Sequence, residues 1–289
     1  MKITKAVLTV GKPDQRTLPL QRLVDRHGVE RSALELNLDE IASAGIESTC
    51  IVVAADDQRA YQQAAARYSG NVQFVEQATP KGYGDAIYCA RDFVRDEPFL
   101  HLVGDHLYLS QTDKTCAQQL VEVAHSQKSA VSAVQPTRES RLPYFGAIGG
   151  NPFDVKQGLY RVTTVIEKPT PTEAEQKLVV AGMRSGYYLC MFGMHIITPH
   201  VMNILGELLA NSESHPQPAL SHALAILAQR ERFLALKIDG ARYDIGVKYG
   251  ILFAQLAHVL TGTDRDQILS EMINLIADTQ PAALLNQAQ

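Results

Sequence analysis

The chain has few cysteines, no long apolar run and no excess of positive charge, and each shortfall removes a class of function. Its 27 Lys and Arg stand against 31 Asp and Glu, a formal net charge of −4. A nucleic-acid surface normally needs a basic face, so that partner class is excluded, while a small anionic ligand held by a few local cations is not. The four cysteines (Cys50, Cys89, Cys116 and Cys190) form no CxxC pair. Three of them sit in apolar surroundings, and their spacing favours reduced, buried thiols over a metal or redox role. No segment approaches the ~20 apolar residues needed to cross a bilayer. The N-terminal MKITKAVLTVGK carries no cleavage-like small-residue site, so no signal peptide is expected. These features imply a soluble, cytoplasmic protein with neither membrane nor nucleic acid as partner. Phosphate-loop (GxxxxGK[ST]), HExxH and GxSxG signatures are absent. His101, His106, His195, His200, His215 and His222 are scattered and read as structural or surface groups.

What is present is an alternation of strand-like and helix-like segments. Ile3–Val10 is a β-branched apolar run, CIVVAA at 50–55 a second buried run, and VQFVEQ at 72–77 a third. Ser32 is placed to cap a helix through Ala44, with Leu34, Leu38 and Ile41 on one face and Gly45 just past its end. Helical stretches are expected near 57–68 and 85–94, and FLHLVGD at 99–105 reads as a strand ending in an acid. Repeated β-α-β at this spacing predicts an α/β fold, a mostly parallel sheet with helices on both faces. Further strands are expected at 130–135, 146–149, 160–167, 193–197 and 233–238, and helices at 201–209, 219–229, 249–260 and 266–276. With no repeat or low-complexity linker, the chain reads as one domain over 1–262 with a C-terminal helical extension and tail over 263–289.

Ligands of such sheets gather beyond the carboxyl ends of the strands, and Gly11, Gln77 and Asp105 fall at such ends. Four short stretches combine glycine or proline with charge: QATPKGYGDA at 77–86, VGDH at 103–106, IEKP at 166–169 and YDIG at 243–246. The Gln77 amide both donates and accepts, as the edge of a nucleobase requires, and Gly82 and Gly84 let backbone approach a flat ligand. The stretch is not a dinucleotide fingerprint, since Ile87 stands where GxGxxG needs glycine. Asp105 and Asp244 can each hold Mg²⁺, a hard cation that favours oxygen ligands, or can each be a solvated turn residue. Glu167 and Lys168 read either as a surface charge pair or as a hydroxyl acceptor beside a phosphate ligand.

The ordered set QATPKGYGDAI, LVGD, YFGAIGG, IEKP and YDIG resembles the bacterial sugar-nucleotide pyrophosphorylases, most of all the UTP–glucose-1-phosphate uridylyltransferases. The likeness runs from about residue 3 to about 260, and Lys81 favours the uridylyl over the thymidylyl branch. The resemblance implies a Rossmann-like nucleotidyltransferase fold and a substrate pair of UTP and a sugar 1-phosphate. It implies that Gln77 and the backbone at Gly82 read uracil, and that Asp105 and Asp244 bind Mg²⁺. The Gly146 N–H would meet the sugar, Glu167 would accept from sugar hydroxyls, and Lys168 would hold the sugar phosphate. With Asp105 and Lys168, Arg16 would act on the reacting phosphates. It also implies pairing of subunits through end helices, a homo-oligomer.

Two regions depart from that pattern: the usual Leu-Thr-Asp here reads Leu220-Ser221-His222, and the first loop differs more. The family's first loop reads roughly GxGTRxxP, whereas this chain reads GKPDQRTLP over 11–19. Arg16 and Pro19 match, Lys12 and Asp14 occupy the two glycine positions, and Gln15 replaces threonine. The following Pro-Lys pair is missing, with Arg22 or Arg26 as stand-ins that are not equivalent to lysine. Two readings follow: an enzyme with altered phosphate contacts, or a paralogue that binds a sugar nucleotide without turnover. A metal-dependent glycosyltransferase is a third, but the GDHL around Asp105 lacks the DxD that it needs.

Overall fold

The computed structural model describes residues 1–10, 15–211 and 219–278. The expectations for Gly11, Lys12, Asp14, His215 and the tail over 279–289 therefore lie outside the described residues. Among the described residues thirteen strands are found: β1 (Lys5–Thr9), β2 (Arg22–Val24), β3 (Glu30–Ser32), β4 (Ser48–Ala54), β5 (Val72–Gln77), β6 (Phe99–Val103), β7 (His106–Ser110), β8 (Ala130–Arg138), β9 (Ala147–Asp154), β10 (Leu159–Ile166), β11 (Tyr187–Ile197), β12 (Phe233–Lys237) and β13 (Gly240–Asp244). The helices are α1 (Ala33–Ser43), α2 (Gln58–Ala64), α3 (Tyr83–Cys89), α4 (Arg91–Val94), α5 (Cys116–Gln127), α6 (Pro171–Lys177), α7 (Pro199–Ala210), α8 (Leu220–Arg230), α9 (Gly250–Leu260) and α10 (Arg265–Asp278).

Nine strands make one sheet in the order β5-β4-β1-β6-β11-β8-β12-β10-β9. From β5 to β6 the pairing is parallel throughout, as the β-α-β alternation predicts. Only β10 and β11 run against the rest, so the sheet is mixed and mostly parallel. Alternation along the buried strands splits the core in two. Ala6, Leu8, Ile51, Val53, Leu100 and Leu102 face one side, where Leu34, Leu38 and Ile41 of α1 and Leu120 and Ala124 of α5 cover them. Val7, Cys50, Val52 and Phe99 face the other, under Ile87 of α3, Val201 and Leu205 of α7 and Leu224 of α8. Successive strand residues point to opposite faces, so the continuous apolar runs of β1 and β4 require helices on both sides.

The α1 start is a capping box: the Ser32 hydroxyl accepts from the Glu35 N–H and the Glu35 carboxylate accepts from the Ser32 N–H. The helix expected over 85–94 is instead two, because the chain turns at Gly82 (φ 104°), starts α3 at Tyr83 and breaks at Ala90. Strand β11 is longer than its sequence suggests. Gly193 (φ 85°) sits where its register shifts, between Met191 and His195, and that bulge hides the strand in the pattern. At the far end of the chain, α9 buries Ala254 against Leu23, Leu107 and Ile245, whereas α10 buries no side chain. All four cysteines are free, and burial pushes Cys50 up to about 12 and raises Cys190. Among the described residues no helix is long and apolar enough to cross a membrane.

Candidate active site

Asp105 lies in the turn between β6 and β7, and Asp244 ends β13. These sequence-remote strands pair antiparallel, with Asp244 opposite His106 and Arg242 opposite Tyr108. Opposed residues of such a ladder share a face, so Asp244 lies beside His106, and Asp105 stands one residue earlier at the same end of the ladder. His106 stands between them, Nδ1 3.8 Å from Asp105 Oδ1 and Nε2 3.8 Å from Asp244 Oδ2. His106, expected from the sequence as a structural or surface group, thus sits beside both acids with only 13% of its side chain exposed. Backbone bonds fix the arrangement: the Ile245 N–H donates to the Asp105 carbonyl at 2.9 Å, and the Gly246 N–H to Asp244 Oδ1 at 2.9 Å.

The curl of the sheet supplies the second arm. Strand β9 pairs with β10 and reaches back to β11, setting Ala147 opposite both Ile166 and Cys190. Gly146, just before β9, thereby meets Glu167, just after β10. A Cβ at Gly146 would stand 3.0 Å from Glu167 Oε2 and 3.1 Å from Met191 Sδ, so the site is fitted to glycine. Lys168 follows with φ 46°, a sparsely populated conformation for a side-chain-bearing residue that costs on the order of 1–3 kcal/mol and concentrates at functional sites. The adjacent Phe145 ring lies under the guanidinium of buried Arg242, 3.7 Å from its centroid. Burial pulls Arg242 down to about 10, so it remains charged at neutral pH, and its three guanidinium nitrogens meet no hydrogen-bond acceptor among the described residues.

The third arm is the 77–86 loop. Gln77 ends β5 and donates through Nε2 to Asp85 Oδ2 at 2.6 Å and to the Gly82 carbonyl at 3.4 Å. Thus the two residues assigned to the base are brought together, with Asp85 holding the Gln77 amide. Behind them the Tyr83 hydroxyl stands 3.4 Å from the His101 ring nitrogens, and His101 stands 3.3 Å from the Thr9 hydroxyl. Burial, and then the charges of Asp105 and Glu167, raise the Tyr83 phenol well above its ordinary value. Its hydroxyl therefore lies within electrostatic reach of the other two arms.

Arg16 is not among the residues that line the cleft and pairs with an acid that is not among them either. Its Nε is 3.4 Å from Asp57 Oδ2, and its carbonyl accepts the Tyr61 hydroxyl at 2.6 Å. Gln15, which replaces threonine, donates to the Gly246 carbonyl at 3.1 Å and so ties the first loop to the turn after Asp244. Between the first two arms opens a cleft of ≈ 480 Å³ whose lining includes Gln15, Asp105, Arg141, Lys168, Asp244 and Lys248. Three of these residues were nominated from sequence. Arg16, Gln77, Gly82, Gly146 and Glu167 stand outside the lining, and Gln15, Arg141 and Lys248 were missed. For Lys248 a local signal existed, a cation two residues past the glycine of YDIG; for Arg141 none did. A second cleft of ≈ 460 Å³ opens where β8 and β12 begin and β11 ends, but its single carboxylate, Glu231, is already held by His200 at 2.6 Å.

The chemistry of the first cleft follows from its donors. Asp105 and Asp244 offer the oxygen ligands of a hard dication, which commonly takes one or two carboxylates and completes its shell with phosphate and water. Among the described residues no group of three or more His, Cys, Asp or Glu is arranged to hold a metal alone. The carboxylate pair thus suits Mg²⁺ arriving with a phosphate ligand. Arg141, Lys168 and Lys248 in the same lining suit an anion of several charges.

Residues 21–257 match the family model described as nucleotidyl transferase. The chain is 25% identical over 302 residues to the UTP–glucose-1-phosphate uridylyltransferase of Bacillus subtilis (strain 168), covering 95% of this chain and 98% of that one. It also superposes on a UDP-glucose pyrophosphorylase complexed with UDP-glucose with a TM-score of 0.72, at 21% identity over 89% of this chain and 98% of that one. A UTP-bound UGPase from Acinetobacter baumannii gives 0.70, at 21% identity over 96% of this chain and 100% of that one. At such identities these two structures establish the fold.

Proposed function

The chain belongs to the nucleotidyl transferase family, and from that premise we propose that it transfers the uridylyl group of UTP to a sugar 1-phosphate. The products are a UDP-sugar, with UDP-glucose the first to test, and pyrophosphate. The observation that carries this reading is the convergence of Asp105, Asp244 and Lys168 on one cleft from three separate parts of the chain. In the reaction a sugar-phosphate oxygen attacks the α-phosphorus of UTP in line. The new P–O bond forms as the bond to the leaving pyrophosphate breaks, and the electron pair departs on pyrophosphate oxygen. The nucleophile is already anionic, so no general base is required, and catalysis reduces to positioning and charge neutralisation.

Asp105 and Asp244 hold Mg²⁺, which supplies charge neutralisation on the nucleotide phosphates when bound. Lys168 binds the sugar phosphate, Glu167 accepts from sugar hydroxyls, and the Gly146 N–H points at the sugar. Gln77 and the Gly82 backbone take the uracil, with Asp85 fixing the amide orientation. Outward-facing Leu252, Phe253, Ile273 and Ile276 support pairing of subunits through α9 and α10, which sedimentation tests. A cytoplasmic location belongs to the same proposal, and cell fractionation tests it.

A second reading rests on one observation, the engagement of Arg16 by Asp57: a paralogue that binds the sugar nucleotide without turnover. Pyrophosphate release from UTP, Mg²⁺ and a panel of sugar 1-phosphates separates the two. Release that depends on the sugar phosphate supports transfer. Binding of UDP-glucose by calorimetry with no release at high protein concentration supports the paralogue.

A further inference from the structure

A nucleotidyl transferase must neutralise the phosphates that leave as pyrophosphate, yet this chain has Lys12 and Asp14 where the resembled loop has glycines and lacks the following Pro-Lys pair. Asp57 engages the one matching cation, Arg16. The cleft nevertheless carries three other cations, and among the described residues none of Arg141, Lys168 and Lys248 forms an ion pair with an acid. Lys168 belongs to the sugar-phosphate arm, which leaves Arg141 and Lys248 without a role.

Their surroundings argue for one. Lys248 rides on the 244–250 turn, which two bonds tie to other parts of the chain and two brace from within. The Ile245 N–H bonds to the Asp105 carbonyl, the Gly246 N–H to Asp244 Oδ1, the Gly246 carbonyl to Gln15 Nε2, and the Gly250 N–H to the Val247 carbonyl. The turn is thus held at once by both acids and by the residue that replaced the loop threonine. Arg141 approaches from the segment before Gly146, on the opposite chain stretch. Each cation rests on an exposed aromatic ring, Lys248 on Tyr249 at 5.0 Å and Arg141 on Tyr144 at 5.3 Å. A cation held over an aromatic face gives up less side-chain freedom when it takes an anion.

We propose that Lys248 and Arg141 form a cationic clamp for the nucleotide phosphates that leave as pyrophosphate, in place of the glycine-rich loop and lysine that this chain lacks. The clamp rests on the uridylyl-transfer reading and deepens it. It takes up the charge that builds on the departing oxygen as the α–β phosphate bond breaks, and it makes no contact that the sugar or the uracil needs.

The test uses the full chain with Mg²⁺, in the direction that consumes UDP-glucose and pyrophosphate. Lys248→Gln and Arg141→Gln, singly and together, are compared with wild type, with Lys248→Arg as the conservative control and thermal melting as the check on folding. Each charged hydrogen bond lost corresponds to roughly a tenfold rise or more in the pyrophosphate KM. The KM for UDP-glucose, which lacks the leaving phosphates, stays within about twofold. A double variant with unchanged pyrophosphate KM, or with both constants raised alike, overturns the clamp. If wild type shows no turnover, the transfer reading fails, and titration of pyrophosphate–Mg²⁺ by calorimetry then decides the clamp alone. Binding that the double variant loses supports it; equal binding, or none by wild type, refutes it.

Discussion

Replacing Gly146 with alanine isolates the sugar arm from the rest of the cleft. Gly146 has no positive φ, so the backbone accepts alanine, and the whole effect comes from the new methyl group. That methyl stands 3.0 Å from Glu167 Oε2 and 3.1 Å from Met191 Sδ, each a few tenths of an ångström too close. Both neighbours are ends of flexible side chains, so the overpacking cost falls at or below the ~1 kcal/mol end of the usual range. Glu167 is exposed and is the freer of the two to move. With the role proposed for Glu167, displacing its carboxylate breaks a charge-assisted bond to a sugar hydroxyl worth about 1.5–3 kcal/mol, a rise of roughly 10- to 100-fold in the sugar 1-phosphate KM. Steady-state kinetics with each substrate varied in turn, plus a melting curve, reads both consequences. The expected pattern is a small fall in Tm, a large rise in sugar-phosphate KM and an unchanged KM for UTP. A sugar-phosphate KM unchanged in a folded variant refutes the argument, as does a loss shared equally by UTP.

Three further outcomes follow from the same geometry. Asp105→Asn and Asp244→Asn each lower kcat by roughly 10²- to 10³-fold, with Mg²⁺ dependence shifted to higher concentration; a metal titration of activity that superposes on wild type argues against both as ligands. Arg242→Met removes a buried guanidinium that finds no acceptor, so the melting temperature holds or rises, while turnover falls because Phe145 and Asp244 lose the charge beside them; a fall in Tm with full activity reverses that assignment. Burial holds His195 at about 3 and His101 well below its ordinary value. The unfolded chain therefore binds protons that the fold does not. Stability is full above the unfolded value near 6.5 and declines below it, by about 2 kcal/mol at pH 5 from His195 alone. His195→Gln should flatten that acid slope in chemical denaturation, and an unaltered slope would rule out His195 as its source.

The fold was legible in the chain to the extent that it is local. The β-branched runs of β1 and β4, the Ser32 N-cap and Gly45 are short-range signals, and each appears where expected, with Glu35 completing the cap as a box that the sequence reading did not name. Strand β11 was half hidden because Gly193 interrupts it for a reason that is not local: the bulge passes close to His106 and to the Tyr108 hydroxyl, which donates to the Gly193 carbonyl. Helix α5 escaped notice although Thr115 and Gln118 cap it reciprocally, since that box lies in a polar stretch with little apolar contrast before it. Within the cleft, Asp105, Asp244 and Lys168 were readable from glycine and proline beside a charge at strand ends. Arg141 was not, because an arginine on a surface segment looks the same whether it faces solvent or a cleft; Lys248 had only its spacing from the glycine of YDIG, and Arg242, buried beside the cleft, had no signal. Only the pairing of β13 with β7, and the reach of β9 back to β11, give those cations an address.

The account stands most directly on one measurement: the coupled appearance of pyrophosphate and UDP-glucose when the full chain is supplied with UTP, Mg²⁺ and glucose 1-phosphate. It predicts equimolar formation of both products, dependent on the sugar phosphate and abolished by Asp105→Asn. UDP-glucose that binds while neither product forms, at high protein concentration and across a panel of sugar 1-phosphates, would contradict it.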